Sequence, residues 1–321
     1  MPISRLNKPR IVITMGDPSG IGPEVTLKAL ASPKVRGLAN FIVIGSSFVI
    51  EKLSRDTGLR FKAYLVNIDN VPRKAFAYGR SHPVFGKASI EYIDRALDMI
   101  SSREADSLVT APINKSSINV ALAKYFEGHT EYLAEKTFTK DFAMMFVGRD
   151  LKITLVTRHI ALKDVPKRLS TEKILTAIYL TERCLRKSFG IRRPRIGVAG
   201  LNPHAGEGGI FGCEEEKIII PAVKKAAKRI SGVTGPVPPD VIFNEALEGR
   251  FDAVVSMYHD QALIPFKLLY FDTGVNLTLG LPFVRTSPDH GTAFDIAGRG
   301  IADPSSMIAA IRLACRLSGK A

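Results

Sequence analysis

Short apolar runs alternate with amphipathic stretches along nearly the whole chain, and that alternation restricts it to the α/β class. PRIVITMG reads as a strand, PEVTLKALAS as a helix and NFIVIGS as a second strand. In KASIEYIDRALDMISS, Ile90, Ile93, Ala96, Leu97 and Ile100 recur at helical spacing. DSLVTAPI, FAMMFVG and LKITLVT follow as strands, the last two joined by the turn-forming Gly148-Arg149-Asp150 into a hairpin. TEKILTAIYLTERCLRKSFG is a helix with Ser170 or Thr171 as cap and Gly190 as stop. PRIGVAGLN, EEEKIIIPAVKKAAKRI, FDAVVSMYH and a closing ADPSSMIAAIRLACRLSG continue the pattern. This order predicts a mixed, mainly parallel sheet covered by helices.

A chain of 321 residues exceeds one core of ordinary size, so two lobes are expected. No repeat, low-complexity tract or linker separates them, which implies that the lobes share elements instead of lying end to end. No apolar stretch approaches membrane-spanning length, and MPISRLNKPR lacks an apolar signal region, so the expected location is the cytoplasm, without membrane contact. Cys184, Cys213 and Cys315 are scattered and imply no disulfide framework. The net charge of +14 is dispersed, with short groups such as VKKAAKR and IRRPR, and tryptophan is absent. Nucleic-acid binders concentrate charge and interleave aromatics, so no nucleic acid is expected as partner. A field drawing in anionic substrates, or a solvated basic surface, accounts for the excess.

Five of the six histidines sit among Gly, Pro, Asn, Asp and Thr, on loops by this reading. His159 in LVTRHIAL, His204 in GLNPHAGEGG and His259 in SMYHDQAL each follow a run that reads as a buried strand. Parallel strands end at one edge of a sheet, where α/β proteins bind ligands. Three imidazoles delivered there can hold a divalent metal and leave a position open for substrate, which points to an enzyme. His82, in a Ser-His-Pro turn, reads as a surface residue. Lys267 and Arg285 are cations inside apolar stretches and suit a substrate bearing phosphate and carboxylate. Asn202, Asp240 and Asp260 flank these positions as polar candidates, and Lys115 follows a strand end.

Gly16-Asp17-Pro18-Ser19-Gly20-Ile21-Gly22-Pro23-Glu24 follows a strand and opens a helix, with Pro23 suited to the first turn. With Pro288-Asp289-His290-Gly291-Thr292-Ala293-Phe294-Asp295-Ile296-Ala297-Gly298, it resembles the isocitrate/isopropylmalate dehydrogenase-like superfamily. That resemblance implies two α/β/α lobes with the active site in the interlobe cleft. It also implies an adenosine-binding loop at His290, Gly291, Thr292, Ala293 and Asp295. A carboxylate at Asp295 would accept from ribose hydroxyls and repel a 2′-phosphate, so NAD is expected over NADP. The expected division is 1–125 plus 275–321 for the dinucleotide lobe and 126–274 for metal, substrate and dimerisation.

A closer resemblance runs from ITMGDPSGIGPE through TAPINK, GHTEYLAE, GLNPHAGEGG and MYHDQALIPFK to GVNLTLGLPFVRTSPDHGTAFDIAGRG, almost the whole chain. These motifs, in this order, resemble the PdxA family of pyridoxal 5′-phosphate (vitamin B6) synthesis. The resemblance implies metal ligands at His159, His204 and His259, and substrate contacts at His129, Thr130, Lys267, Asn276 and Arg285. It implies oxidation of 4-phosphooxy-L-threonine, or of D-threonate or D-erythronate 4-phosphate as in related members, and a homodimer with a shared active site. Neutral imidazoles favour zinc, with magnesium or cobalt as alternatives. Lys267, Asp240 or a metal-ordered water could serve as catalytic base.

Overall fold

The computed structural model describes residues 8–123 and 125–319. Eleven strands occur in chain order: β1 Arg10–Thr14, β2 Asn40–Gly45, β3 Tyr64–Asn67, β4 Ser107–Thr110, β5 Ala143–Val147, β6 Lys152–Leu155, β7 Ile196–Ala199, β8 Val233–Val237, β9 Ala253–Ser256, β10 Val275–Leu279 and β11 Val284–Pro288. The chain divides into two compact units, one running to Leu133 and resuming at Phe283, the other spanning Ala134–Pro282.

In the first unit the strand order is β3-β2-β1-β4-β11, and every pairing is parallel. Ile11, Val12 and Ile13 of β1 are fully buried, which is why these strands read as unbroken apolar runs. The order reverses between β1 and β4, so the loops after these two strands flank the crevice where open parallel sheets take ligands. The Pro83–Ser101 helix packs on β1 and β2. His82, expected as a bare surface residue, caps that helix, its Nδ1 accepting from Val84 N at 3.2 Å. The Ser305–Ser318 helix covers β4 and β11 and touches the Gly22–Ala31 helix.

In the second unit the order is β10-β5-β6-β9-β7-β8, antiparallel for the first two pairings and parallel for the rest. The expected hairpin joins β5 to β6, with Val147 opposite Lys152. Ser170 caps the Thr171–Lys187 helix by accepting from Lys173 N at 3.3 Å, and Gly190 turns the chain at φ 76°. Two histidines read from sequence as loop residues instead open helices: His129 begins His129–Lys136 and His259 begins His259–Tyr270. Among the described residues no helix is long and apolar enough to cross a membrane.

Candidate active site

In the first unit, motifs from the two ends of the chain meet. Ile21 N donates to Thr292 O at 2.9 Å, and a Cβ at Gly20 would stand 3.0 Å from that same oxygen, so only glycine fits comfortably. The next turn is clamped by a buried ion pair. Glu24, 1% exposed, accepts from Ala302 N at 2.8 Å and Gly300 N at 3.2 Å. Lys28 Nζ, 2.9 Å from Glu24, donates to Gly300 O at 2.8 Å and Ala302 O at 2.7 Å. The start of the chain thus fixes the segment that follows the expected dinucleotide loop. On that loop Ala293 sits at φ 38° and Asp295 is exposed. His290 Nδ1 lies 3.0 Å from Gly291 O, and its Nε2 is buried with no partner among the described residues.

Asp17 lies in the β1 loop and is fully buried. Its N–H donates to Pro112 O at 2.9 Å, and Oδ1 accepts from Ser19 N at 2.9 Å. Oδ2 has no partner among the described residues. Burial pushes the carboxyl up to about 6, against the opposing pull of Ser19 N.

A second group gathers where β4 ends, around Arg285 near the start of β11. Arg285 is 2% exposed, and its Nη2 donates to Thr110 Oγ1 at 2.6 Å. Burial draws the guanidinium down to about 9, with Glu131 acting the other way, so it stays cationic at neutral pH. His129 Nε2 and Thr130 Oγ1 are buried with no partner among the described residues. Burial, then the cations Arg285 and Lys115, hold His129 well below the usual imidazole range, so the ring is neutral. Lys115 and Glu131 face each other across Gly128, where a Cβ would lie 3.6 Å from Lys115 Nζ and 3.3 Å from Glu131 Oε2.

The second unit carries the other expected residues. The rings of His159 and His259 stand 5.7 Å apart, centre to centre, inclined at 46°. Asp260 Oδ1 lies 2.6 Å from His259 Nδ1, the kind of carboxylate contact that orients an imidazole and leaves Nε2 for a ligand. His204 is not grouped with this pair; its ring packs on Phe211 at 6.0 Å, and among the described residues no three His, Cys, Asp or Glu side chains are placed to hold a metal ion. His204 lies on a turn in which residues 204–208 all adopt left-handed backbone, His204 at φ 51°, Ala205 at 53° and Glu207 at 42°.

Buried Glu215 holds that turn. Its Oε1 accepts from Leu201 N at 2.7 Å and Asn202 N at 2.8 Å, and its Oε2 accepts from Asn202 Nδ2 at 2.8 Å. Asn202 Nδ2 also donates to Glu214 Oε2 at 2.9 Å. Asn202, a sequence candidate for the site itself, is therefore engaged in holding the loop. Glu215 starts a π-helical turn, Glu215–Ile219, a geometry common near functional sites. Of the remaining candidates, Asn276 Oδ1 is buried with no partner among the described residues, Lys267 lies 5.8 Å from the centre of the Phe271 ring, and Asp240 is exposed. Sequence reasoning passed over Glu24, Glu215 and Thr110. Each is polar within or beside an apolar run, and that misplacement was the available signal.

Fold and comparisons together place the chain among α/β dehydrogenases. The family model described as pyridoxal phosphate biosynthetic protein PdxA matches residues 31–314. A 4-hydroxythreonine-4-phosphate dehydrogenase of Desulforapulum autotrophicum is 47% identical over 96% of this chain and 95% of its own. A putative D-threonate 4-phosphate dehydrogenase of Oceanobacillus iheyensis is 41% identical over 97% and 98%. The crystal structure of 4-hydroxythreonine-4-phosphate dehydrogenase from Klebsiella pneumoniae superposes with a TM-score of 0.89 at 38% identity, covering 98% of this chain and 99% of that one. The chain belongs to the PdxA family.

Proposed function

We propose that this chain is an NAD-dependent dehydrogenase of 4-phosphooxy-L-threonine, yielding 2-amino-3-oxo-4-phosphooxybutanoate and, after loss of carbon dioxide, 3-amino-2-oxopropyl phosphate. The observation that carries the reading is the buried group around Arg285, where His129 Nε2 and Thr130 Oγ1 have no partner among the described residues beside a desolvated guanidinium. A buried polar atom left unsatisfied costs about 1–3 kcal/mol, so such atoms persist where a ligand completes them. An anionic, hydroxyl-bearing substrate does so: Arg285 supplies charge and a planar fork of donors, and His129 and Thr130 bind neighbouring oxygens. The relatives named 4-hydroxythreonine-4-phosphate dehydrogenase support the same substrate class.

The loop at His290, Gly291, Thr292, Ala293 and Asp295 takes the adenosine of NAD, with the Asp295 carboxylate accepting from ribose hydroxyls. His159, His204 and His259 would hold a divalent cation, zinc first and magnesium or cobalt as alternatives. The spacing of His159 and His259 and the Asp260 contact fit that role, whereas His204 has to be brought to the pair. A cation held there supplies Lewis acidity toward the alcohol and carbonyl oxygens. Lys267 and Asn276 contact the substrate, and Lys267 or Asp240 takes the hydroxyl proton as hydride leaves the carbinol carbon for the nicotinamide. The active species is a homodimer whose partner completes the site. Ile264, Leu268 and Phe271, 69%, 85% and 72% exposed at helical spacing along and just past the helix that begins with His259, support such an interface. The first unit serves the dinucleotide, and the second serves metal and dimerisation.

The test is NADH formation from 4-phosphooxy-L-threonine, D-threonate 4-phosphate and D-erythronate 4-phosphate, with and without chelator. The expected result is NADH from the first substrate, lost on chelation and restored by zinc. Activity confined to D-threonate 4-phosphate would shift the assignment to the chemistry named for the Oceanobacillus iheyensis relative. Full activity after metal removal would overturn the role of the histidines.

A further inference from the structure

Arg285 and Thr110 lie on adjacent parallel strands, and the register places them on one face. Arg285 of β11 stands opposite Leu108 of β4, and Thr110 follows two residues later, which returns its side chain to the side shared by Leu108 and Arg285. The arginine side chain thus runs along the sheet toward the ends of the strands and meets the last residue of β4. There Nη2 donates to Thr110 Oγ1 at 2.6 Å, between residues 2% and 0% exposed. The strand turns at once after this contact. Pro112 O takes the N–H of Asp17, and Lys115 opens the next helix. A hydroxyl at this point therefore sits where backbone from two loops is already fixed.

We propose that Thr110 is a positioning residue for substrate binding: its hydroxyl holds the Arg285 guanidinium in the orientation in which it meets the substrate's anionic group. The inference rests on the reading of Arg285 as a substrate contact. An arginine has several rotatable bonds, and a free guanidinium would lose rotamer freedom each time it bound an anion. Fixing one nitrogen in advance removes part of that cost. The threonine backbone is held by the β4 ladder, and its branched side chain is stiff about χ1, so the anchor is rigid. Thr110 touches neither substrate nor cofactor in this account; it acts through Arg285 alone.

The experiment compares Thr110→Val, Thr110→Ser and Arg285→Lys, together with the Thr110→Val/Arg285→Lys double variant, in steady-state assays with 4-phosphooxy-L-threonine and NAD. Valine keeps the branched shape and removes the acceptor. A hydrogen bond to a charged group corresponds to a roughly ten- to hundredfold change in affinity, so Thr110→Val is expected to raise KM for 4-phosphooxy-L-threonine by that factor. KM for NAD and kcat should stay within about threefold, and Thr110→Ser should recover most of the loss. In the Arg285→Lys background the valine substitution should add little, because its target is gone. The proposal is overturned if Thr110→Val leaves KM unchanged, if serine fails to rescue, or if the valine effect persists undiminished beside lysine. Should the valine variant not fold, Thr110→Ala answers the same questions. Failure of the underlying reading looks different: Arg285→Lys itself would then leave KM for 4-phosphooxy-L-threonine where it was.

Discussion

Replacing Glu215 by glutamine keeps the outline of the side chain and removes its charge. One glutamine oxygen can still accept from Leu201 N and Asn202 N, as Oε1 does at 2.7 and 2.8 Å. The new amide nitrogen then faces Asn202 Nδ2, which now donates to Oε2 at 2.8 Å, so donor meets donor. Rotating the Asn202 amide does not help, because its oxygen would confront Glu214, to which Nδ2 donates at 2.9 Å. One charge-assisted bond is lost outright, worth roughly 1.5–3 kcal/mol, and the two backbone bonds weaken toward neutral strength. The sum is about 3–4 kcal/mol. The turn that leaves this anchor keeps His204, Ala205 and Glu207 in left-handed backbone, each costing about 1–2 kcal/mol against ordinary conformations, so a loosened clamp lets it relax. At about 2–4 °C per kcal/mol, and toward the low end in a chain this long, the second unit should melt about 5–10 °C lower. Calorimetry measures that shift, and hydrogen exchange over residues 200–212 should rise in step. Native-like exchange and an unmoved transition in Glu215→Gln would refute the clamp.

Three further outcomes are expected. Burial raises Asp17 to about 6, above its unfolded value, so its stabilising contribution is complete below about pH 4 and is lost as pH rises through 6. The gap is worth about 3 kcal/mol, and Asp17→Asn should gain melting temperature over the native chain between pH 4 and pH 7; parallel curves would dismiss this. Asp295→Ala should raise kcat/KM for NADP relative to NAD by about tenfold, equivalent to roughly 1.4 kcal/mol, and unchanged selectivity would remove Asp295 from the ribose contact. Leu268→Glu should lower the sedimenting mass to that of one chain, while a full dimer in that variant would place the interface elsewhere.

The strand and helix pattern was legible because its cause is local. Buried parallel strands such as β1 must be apolar on both faces, and helices such as Pro83–Ser101 must carry an apolar stripe. The first and last motifs were legible as glycine-bearing turns, because close backbone approach leaves a compositional trace. What lay hidden was pairing at long range. Glu24 looks like one more residue of a turn until its partners at Gly300 and Ala302 are seen, and nothing near Arg285 names Thr110, 175 residues earlier. The left-handed path of residues 204–208 was equally hidden, since three of its five members are not glycine. Histidine placement followed the same rule. His129 and His259 were correctly separated from strand interiors, but the helix each begins carries no capping signal that composition records; Tyr258, ahead of the second, makes no side-chain cap hydrogen bond.

In the first unit β4 pairs with β11, and Val284 leaves the ribosome 174 residues after Thr110. At cellular synthesis rates that interval is on the order of ten to thirty seconds. Throughout it the nascent chain displays the bare rim of an apolar parallel sheet, a template for wrong pairing. Ala134–Pro282, by contrast, is contiguous and can mature first. The half of the molecule that begins the polypeptide is therefore the last to be finished, and chaperone demand during translation should centre on it.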